Sequence, residues 1–376
     1  MQKNNDHNMT SAKETARNLL AKADIHINGD RPWDIQVHDE RTFARTFSQG
    51  SLGFGEAYMD GWWDCKAMDQ MLTRVFNANL EKDIRSLSTL ALVAKSRLFN
   101  QGRVAKAYEI GEQHYDAGND LYEAMLDKRM VYTCGYWKDA RNLDEAQEHK
   151  LDLVCRKIGL QKGMRVLDIG CGWGSFAKFA AERYGAEVVG VTVSKEQVEL
   201  GNKRCEGLPV EIRLQDYRFV EGSFDRVVSL GMFEHVGYKN YRIFMEVCDR
   251  VLTDDGMFLL HTIGRNWSAH STDPWINKYI FPNSMLPSVE QIGKAAGKLF
   301  VMEDWHNFGT DYDTTLLAWY DNIESAWDQL PTYDERFQRM WRFYLMSSAA
   351  LFRSRRGQLW QIVFSKGLKG GYRSIR

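Results

Sequence analysis

A glycine-rich stretch that follows an acidic residue carries the clearest chemical pattern in the sequence. Residues 166–194 read VLDIGCGWGSFAKFAAERYGAEVVGVTVS, in which Gly170, Gly172 and Gly174 stand at alternate positions just behind Asp168. Glycines at a strand-to-helix turn permit positive φ, a close approach of the backbone to a ligand and tight packing of the next helix. The spacing therefore predicts a ligand-binding loop.

Two classes of ligand use such loops. A dinucleotide fingerprint has the spacing G-x-G-x-x-G and an acid about 20 residues later for the ribose. Here the third glycine comes one residue early, and the next apolar run ends in GVTVSKEQ without an acid at its tip. An acid before G-x-G-x-G instead suits S-adenosylmethionine, whose ammonium group can meet Asp168 or the loop carbonyls. A nicotinamide cofactor and a tight turn without a ligand are the alternatives.

Further cofactor contacts are predicted at the ends of the next two strands. Thr192 and Gln197 lie where a ribose is within reach. Gln215 and Asp216, in RLQDYR, end the third strand, where an adenine edge is expected. The alternative role for Asp216 is that of a helix N-cap.

Other fragments concentrate reactive side chains. GMFEHVG contains Glu234 and His235, LLHTIG contains His261, DYDTTLLAWY contains Tyr312, and VYTCGYW contains Tyr132, Thr133 and Cys134. Each residue alone is a weak sign, because a lone histidine at a strand end is more often structural and a cysteine among apolar neighbours is usually a core residue. Their shared placement at the binding edge of one sheet favours a common site.

Helical and apolar extended segments alternate regularly between these fragments. Strands are predicted at 165–169, 187–193, 210–214, 225–230 and 257–262, and helices near 173–184, 195–205 and 239–252. This alternation is typical of an α/β fold with a doubly wound, Rossmann-like parallel sheet. In such a sheet the first strand-to-helix turn lies beside the switch point where ligands bind.

Three regions are predicted along the chain. Residues 1–80 form a smaller N-terminal α+β domain, in which QGSLGFGEAYMDGWWD indicates tight turns. Residues 81–113 form a basic helical connector, with apolar positions near helical spacing and Lys or Arg around them. Residues 114–376 form the domain that contains the glycine loop.

The overall composition excludes several classes of protein. Lys plus Arg (49) nearly equal Asp plus Glu (50), so no nucleic-acid partner is indicated, and affinity for an anionic surface must come from local patches. The six cysteines form no CxxC pair, which favours reduced thiols over a disulfide framework or a metal site. The polar start and the lack of a long apolar run indicate a soluble or peripheral protein of the cytoplasm.

The last 26 residues form a basic patch. LFRSRRGQLWQIVFSKGLKGGYRSIR holds seven Lys or Arg and no acid, interleaved with Phe, Leu, Trp and Ile. Basic residues near an anionic membrane surface contribute roughly 1 kcal/mol each, so the segment is predicted to attach the protein reversibly to a membrane. A solvated tail that touches no lipid is the alternative.

The motifs together resemble a known family. RVLDIGCGWGSFA, GMFEHVG, LLHTIG, DPWINKYIFPNSMLPS, VYTCGYW and HYDAGNDLY are similar to those of the cyclopropane-fatty-acyl-phospholipid synthases, relatives of the mycolic acid cyclopropane synthases. The likeness spans most of 112–376, and the segment near 50–64 resembles the additional N-terminal domain of the bacterial phospholipid enzymes. It implies a class I methyltransferase sheet, with 114–376 as an S-adenosylmethionine-dependent catalytic domain that carries lipid-binding insertions.

The resemblance also implies a reaction and its residues. A methylene group passes from S-adenosylmethionine to the cis double bond of an unsaturated acyl chain in a membrane phospholipid, and bound bicarbonate deprotonates the carbocation before the ring closes. The implied bicarbonate pocket is Cys134, Glu234, His261, the backbone of Ile263, and Tyr312. The implied cofactor contacts are Tyr132, Thr133, Gly170, Gly172, Thr192, Gln197, Gln215 and Asp216. A homodimer, peripherally attached to the inner face of the membrane, is the expected form.

The implied chemistry has further requirements. An ionised Glu234 repels an anion, so a proton shared between this carboxyl group and bicarbonate is expected; without bicarbonate, Glu234 or His261 is the alternative base. Aromatic faces stabilise a carbocation by about 0.5–2 kcal/mol each. The aromatic candidates are Tyr136, Trp137, Phe233, Tyr279, Phe281 and Trp319. The alternative activities are methylation without ring closure, methylation of a small molecule, and lipid-surface binding without catalysis.

Overall fold

The computed structural model describes residues 2–80 and 118–376, which form two compact units. The N-terminal unit contains 2–80, Ser271–Pro282 and Leu316–Arg356, and the sheet unit contains 118–270, Asn283–Thr315 and Gly357–Arg376. Two segments of the expected catalytic region thus group with the N-terminal residues. The basic connector predicted for 81–113 lies outside the described residues.

The helices of the described ranges are, in chain order, α1 (Gln2–Lys22), α2 (Arg41–Gln49), α3 (Ser51–Met59), α4 (Met68–Asn77), α5 (Asn119–Met125), α6 (Leu143–Lys157), α7 (Ser175–Tyr184), α8 (Lys195–Arg204), α9 (Tyr241–Val251), α10 (Pro274–Tyr279), α11 (Val289–Ala296), α12 (Thr310–Glu324) and α13 (Glu335–Arg353). The strands are β1 (Gln36–Val37), β2 (Trp63–Asp64), β3 (Arg165–Ile169), β4 (Glu187–Thr192), β5 (Val210–Leu214), β6 (Phe224–Leu230), β7 (Leu252–Gly264), β8 (Val301–Asn307) and β9 (Gln358–Ser365). Short 3₁₀ helices lie at Tyr217–Phe219, Phe233–His235, Tyr238–Asn240 and Trp327–Gln329. None of the helices within 2–80 and 118–376 combines the length and apolar character that crossing a bilayer requires.

The sheet unit is built on a seven-stranded sheet in the order β5-β4-β3-β6-β7-β9-β8. The strands β3 to β7 pair in parallel, while β9 is antiparallel to both β7 and β8. The predicted α/β Rossmann-like sheet is confirmed, and most predicted strand and helix boundaries agree within two residues. The sheet is mixed rather than wholly parallel, because the sequence after β7 returns to it as an antiparallel pair.

Successive residues of the central strands pack on opposite faces of the sheet. In β3, Leu167 and Ile169 belong to one buried apolar cluster and Val166 to the other. In β6, Val227 and Val228 divide in the same way. Both faces of a covered parallel sheet are buried, so both alternating sets of positions are apolar. The strands therefore read as continuous apolar runs.

Side-chain caps fix where the helices near the glycine loop begin. The Ser194 hydroxyl accepts the backbone N–H of Gln197 at 3.3 Å at the start of α8. The Asn142 side chain accepts the N–H of Glu145 at 3.0 Å at the start of α6. Such caps contribute about 1 kcal/mol each. They also fix the rotation of the first helical turn, and with it the direction of its side chains.

The basic C-terminal segment is part of the sheet. Its apolar core is β9, and Trp360, Ile362 and Phe364 lie in a buried apolar cluster. Arg376 forms an ion pair with Asp304 of β8, with 2.5 Å between the closest atoms. The prediction of a lipid-facing tail is therefore wrong for its apolar side chains, because the sheet buries them between β7 and β8.

In the N-terminal unit, α3 is a helix where tight turns were predicted. A Cβ on Gly53 would lie 2.3 Å from the carbonyl oxygen of Arg45, and a Cβ on Gly55 would lie 2.5 Å from the ring of Trp275. These glycines therefore allow α3 to pack closely against α2 and α10. Gly50, with φ of +61°, does turn the chain, between α2 and α3.

Candidate active site

The glycine loop follows β3 and places its backbone in a region of φ that other residues avoid. Gly170, Gly172 and Gly174 have φ of +80°, +55° and +75°. A Cβ on Gly170 would lie 2.5 Å from the Cβ of Met232, whereas a Cβ placed on Gly172 would have no atom of the described residues within 4 Å, apart from its own chain neighbours. The backbone of Gly172 therefore faces open space, from which a ligand can approach it closely.

Asp168 lies in β3, two residues before the loop. Its side chain is 1% exposed, and within the described ranges neither carboxylate oxygen has a hydrogen-bond partner. Burial raises the pKa of Asp168 to about 7, and the positive charge of Lys150 opposes the rise. A buried carboxylate with both oxygens unpaired suits a cationic ligand that brings its own N–H donors.

The segment with Tyr132 and Thr133 is held by helix α6. The ring of Tyr132 meets the ring of Tyr122 edge-on at 5.2 Å. The amide of Gln147 donates to the carbonyl oxygen of Thr133 at 2.7 Å, and the ammonium of Lys150 donates to the Thr133 hydroxyl at 2.6 Å. Thr133 is therefore fixed through both its backbone and its side chain.

Cys134 lies beside the first two turns of α12. Its thiol is fully buried and donates to the carbonyl of Gly135 at 3.1 Å, and the Thr315 hydroxyl accepts the N–H of Gly135 at 3.1 Å. Tyr312 lies in the first of these turns and is 8% exposed. Burial raises the pKa of the Cys134 thiol well above its ordinary value. Cys134 is therefore a neutral thiol, and neither a nucleophile nor a base at neutral pH.

The residues predicted to meet the ribose and adenine lie at the ends of β4 and β5. The Thr192 hydroxyl donates to the side-chain oxygen of Gln197 at 2.6 Å, and the backbone N–H of Gln215 donates to the Thr192 carbonyl at 2.9 Å. The Asp216 carboxylate accepts the backbone N–H of Arg218 at 3.0 Å and its guanidinium at 2.5 Å. Asp216 is thus an N-cap of the 3₁₀ helix that follows, which is the alternative role given above.

Glu234 lies on the 3₁₀ helix after β6 and is 6% exposed. Its Oε1 accepts the backbone N–H of Ile263 at 2.7 Å, while Oε2 is buried without a hydrogen-bond partner in the described part of the chain. Burial raises the pKa of Glu234 to about 7. Near neutral pH the carboxyl group therefore exists in both protonation states, so Oε2 can donate or accept a proton.

His261 lies in β7, opposite Gln361 of β9, and is 1% exposed. The Gln361 side-chain nitrogen lies 3.4 Å from Nδ1, and Nε2 is buried without a partner among the described residues. Burial, together with the charges of Lys150 and Lys157, lowers the pKa of His261 well below its ordinary value. His261 is therefore a neutral imidazole, which has one ring nitrogen that donates and one that accepts.

Short contacts join these loops at one edge of the sheet. Gly170 packs against Met232, in the loop after β6. Gly231 donates its N–H to the carbonyl of His261 at 2.9 Å, and a Cβ on Gly231 would lie 2.6 Å from the methyl group of Thr133. The glycine loop, the loop after β6, the end of β7 and the Thr133 segment therefore form one site.

Several supporting side chains of this site were not singled out from the sequence. They are Gln147, Lys150, Thr315 and Gln361, which hold Thr133, Gly135 and His261. Gln147 and Lys150 lie on the apolar face of α6, and Gln361 interrupts the apolar run LWQIVF of β9. A polar residue at a core position of the periodic pattern is the sequence signal that indicates such residues.

A known family matches more than half of this chain. The family model described as mycolic acid cyclopropane synthetase matches residues 103–362. The chain belongs to this family. The cyclopropane-fatty-acyl-phospholipid synthase of Escherichia coli K12 is 52% identical to it over 363 residues, which cover 96% of this chain and 95% of that protein. The tuberculostearic acid methyltransferase of Mycobacterium tuberculosis is 35% identical over 344 residues, with 85% and 80% covered.

A solved mycolic acid cyclopropane synthase shares the fold of about two thirds of this chain. The mycolic acid cyclopropane synthase CmaA1, solved in complex with SAH and CTAB, matches with a TM-score of 0.63 and 30% identity over 68% of this chain and 97% of that chain. The resemblance found in the motifs is thus confirmed, and the chain is an S-adenosylmethionine-dependent methyltransferase of class I fold. The open face at Gly172 and the unpaired oxygens of Asp168 fit this cofactor.

Proposed function

We propose that the enzyme transfers a methylene group from S-adenosylmethionine to the cis double bond of an unsaturated acyl chain in a membrane phospholipid, forming a cyclopropane ring. The observation that carries this proposal is that Glu234 Oε2 and His261 Nε2 are both buried without partners among the described residues, on the loop after β6 and on β7, which contact each other and, through Met232, the glycine loop. Ring closure needs a group that receives a proton from the methylated chain, and these buried polar atoms offer a place for such an acceptor.

The chain's own residues bind and orient the cofactor, which supplies a sulfonium methyl group as the electrophile. Gly172 leaves space for a close approach of the cofactor to the backbone, and Asp168 offers its carboxylate to the ammonium group. The hydrogen-bonded pair Thr192 and Gln197 lies at the end of the neighbouring strand, where a ribose is expected. An alkene is a weak nucleophile, so this fixed placement and the exclusion of water supply much of the acceleration.

We infer that a bicarbonate ion, which is small enough to lie between cofactor and acyl chain, is the proton acceptor. The polar cradle that we propose for it consists of Glu234 Oε2 and His261 Nε2, together with Tyr312 and the Cys134 segment, all of which are buried. Ile263 takes part through Glu234, because its N–H holds Oε1 and so directs Oε2 away from the backbone. With a pKa of about 7, Glu234 can hold a proton toward the anion instead of repelling it.

Aromatic rings near the cradle suit the carbocation that forms on the acyl chain. Phe308 lies 6.0 Å from the ring of His261 and 5.3 Å from the ring of Tyr136. Each aromatic face contributes about 0.5–2 kcal/mol to a nearby cation. Phe233, another candidate, is instead stacked on Tyr241 at 4.2 Å in the buried core.

The decisive experiment is incubation of the enzyme with methyl-labelled S-adenosylmethionine and unsaturated phospholipid vesicles, with and without bicarbonate. Proton NMR of the product is expected to show the upfield signals of a cyclopropane ring. Removal of bicarbonate is expected to reduce the rate, and its return to restore it. A product without ring signals contradicts the proposed reaction, and a rate that does not respond to bicarbonate contradicts the proposed base.

Glu234→Gln tests the role of the cradle. The amide retains an oxygen for the N–H of Ile263 but cannot share a proton with an anion. We expect turnover to fall at least a hundredfold while the dissociation constant of S-adenosylmethionine changes less than threefold. Glu187→Gln, at the exposed start of β4, is the matched control and is expected to leave both unchanged. Equal losses in turnover and cofactor binding would contradict the assignment.

A second candidate is methylation of the acyl chain without ring closure. The similarity to the tuberculostearic acid methyltransferase of Mycobacterium tuberculosis favours it, because that relative is named for a methyl transfer. Product mass separates a cyclopropane from a methylated alkene poorly, since each adds 14 Da, whereas a methyl branch saturated by an added hydride donor adds 16 Da. The same NMR spectrum decides, because a methyl branch gives a doublet and lacks upfield ring protons.

Access to phospholipid requires the enzyme to reach a membrane surface, and we propose that it does so peripherally, at the inner face, as a homodimer. We also propose the division into 1–80, a connector at 81–113 and a catalytic domain at 114–376 that carries lipid-binding insertions. Along the chain, Ser271–Pro282 and Leu316–Arg356 interrupt the sheet unit. Co-sedimentation with anionic and neutral vesicles tests the attachment. Sedimentation velocity in the absence of lipid tests the dimer.

A further inference from the structure

Helix α6 buries an unusual set of polar side chains. Gln147, Lys150 and Lys157 are all 0% exposed and share the inner face of the helix with Leu151 and Val154. Lysine is almost never fully buried without a partner, because removing an ammonium group from water is costly. Each of these lysines therefore needs a local reason for its place, and the reason for Lys150 lies in the active site.

Lys150 and Gln147 hold the same residue. Lys150 donates to the Thr133 hydroxyl at 2.6 Å, and Gln147, one turn earlier, donates to the Thr133 carbonyl at 2.7 Å. The methyl group of Thr133 fills the space beside Gly231, which has no Cβ. Because the hydroxyl oxygen accepts from Lys150, the hydroxyl proton of Thr133 is directed toward another acceptor. A cofactor carboxylate is an acceptor of the right kind.

Lys150 is also the cation of the site. The carboxylates whose charges act on it are Asp127 and Asp168, and its own charge acts on His261. Asp127 is already engaged, because its carboxylate accepts two backbone N–H groups of the loop that follows, at 2.8 and 3.0 Å. Asp168 has no hydrogen-bond partner among the described residues, so Lys150 acts on it through charge without contacting its oxygens.

We propose that Lys150 is a positioning residue of the cofactor pocket, which fixes the Thr133 hydroxyl and gives Asp168 a positive neighbour while leaving both of its oxygens to the ligand. Thr133 is the group that keeps Lys150 away from Asp168. If the two paired directly, the carboxylate would be occupied before the cofactor arrived. The proposal depends on cofactor binding, which belongs to the enzyme class, and not on the lipid substrate or bicarbonate.

The charge of Lys150 predicts in which direction the pH dependence of cofactor binding shifts when this lysine is replaced. Burial alone raises the pKa of Asp168, and Lys150 holds the increase to a value of about 7; burial lowers the pKa of Lys150 itself to about 8. Cofactor affinity is therefore expected to weaken as pH falls through about 7, where Asp168 takes up a proton. Removing the charge of Lys150 raises the pKa of Asp168 further, so the midpoint moves to higher pH.

The experiment is calorimetric titration of the full-length enzyme with S-adenosylhomocysteine between pH 6 and 8, without lipid or bicarbonate. For Lys150→Met we expect the midpoint of the affinity profile to move up by about one pH unit, with roughly tenfold weaker binding at pH 6.5. Lys157→Met is the matched control, because this lysine is equally buried on the same helix but donates to His306 at 3.0 Å. It is expected to leave the midpoint unchanged.

Thr133→Val is expected to shift the pH midpoint of cofactor affinity in the opposite direction. Without the hydroxyl, Lys150 is released toward Asp168, so the midpoint is expected to move down while affinity at pH 8 falls. Asp168→Asn is expected to abolish the pH dependence near 7. Lys150→Met with an unchanged midpoint, or a shift shared by Lys157→Met, overturns the proposal. If Lys150→Met fails to fold, Thr133→Val decides, and an unchanged or higher midpoint overturns the proposal.

Discussion

The buried carboxyl group of Glu234 leads to a prediction about the free energy of unfolding that can be tested without substrate. Glu234→Gln keeps the acceptor for the N–H of Ile263 and nearly the same shape, but removes a group that ionises inside the protein. In the wild-type chain, burial raises the pKa of this carboxyl group from 4.5 to about 7. The substitution therefore isolates the free-energy cost of ionising one buried carboxyl group.

The sign and size of the effect follow from linkage. The folded protein holds the proton of Glu234 up to about pH 7, whereas the unfolded chain loses it near 4.5. Stability from this group is therefore full below pH 4.5 and declines as pH rises through 7. The whole difference corresponds to roughly 3 kcal/mol, of which about 2 kcal/mol falls between pH 5.5 and 8.

The assay is urea unfolding of the ligand-free chain and of Glu234→Gln at pH 5.5 and pH 8. The free energy of unfolding of the variant, relative to wild type, is expected to rise by about 2 kcal/mol between the two pH values. Asp168 titrates in the same window but is common to both proteins, so its contribution cancels. Glu187→Gln is the surface control. A difference between variant and wild type that stays within about 0.5 kcal/mol across this range would refute the reasoning.

Three further outcomes are expected. Gly172→Ala should weaken S-adenosylhomocysteine binding at least tenfold in calorimetry, because the new Cβ would occupy the space from which the ligand approaches. Its stability cost should be only about 1 kcal/mol, because the Cβ meets no atom of the described residues and the strain comes from the φ of +55° alone. Unchanged affinity would show that no ligand approaches this residue. Gly170→Ala should lose roughly 2–3 kcal/mol of stability in urea, because its Cβ would lie 2.5 Å from that of Met232; equal stability of the two variants would count against the packing. Arg376→Ala should lower the free energy of unfolding by about 1 kcal/mol and leave vesicle binding unchanged, because the arginine pairs with the buried carboxylate of Asp304. Loss of vesicle binding without loss of stability would show that the C-terminal segment contacts the membrane.

The central sheet and its glycine loop were determined by the sequence itself. The central strands β3, β4, β6 and β7 hold apolar residues at both alternating sets of positions, which is the pattern of strands covered on two faces. The glycine spacing after β3 differs from a dinucleotide fingerprint by one residue. These signals depend only on residues adjacent in the sequence, so they can be recognised without knowing which residues are neighbours in the folded protein. The motifs around Glu234 and His261 indicate the family for the same reason, because they too are short stretches of adjacent residues.

The place of the C-terminal segment was decided by tertiary structure. Its alternation of basic and apolar residues suits a membrane-facing segment and a buried strand equally well. Pairing with β7 on one side and β8 on the other made it a strand, because its backbone hydrogen bonds and its apolar side chains found partners there. In the same way, Gly53 and Gly55 look like turn residues until the close neighbours Arg45 and Trp275 are known.

The chemistry of the site also depends on the fold. The sequence supplies Asp168, Glu234, His261 and Lys150 as ordinary ionisable residues far apart along the chain, and nothing local sets their protonation states. Burial raises the pKa of both acids to about 7 and lowers those of His261 and Lys150. The reason is that the free energy of a charge depends on the solvent and the charges around it, and folding alone determines both.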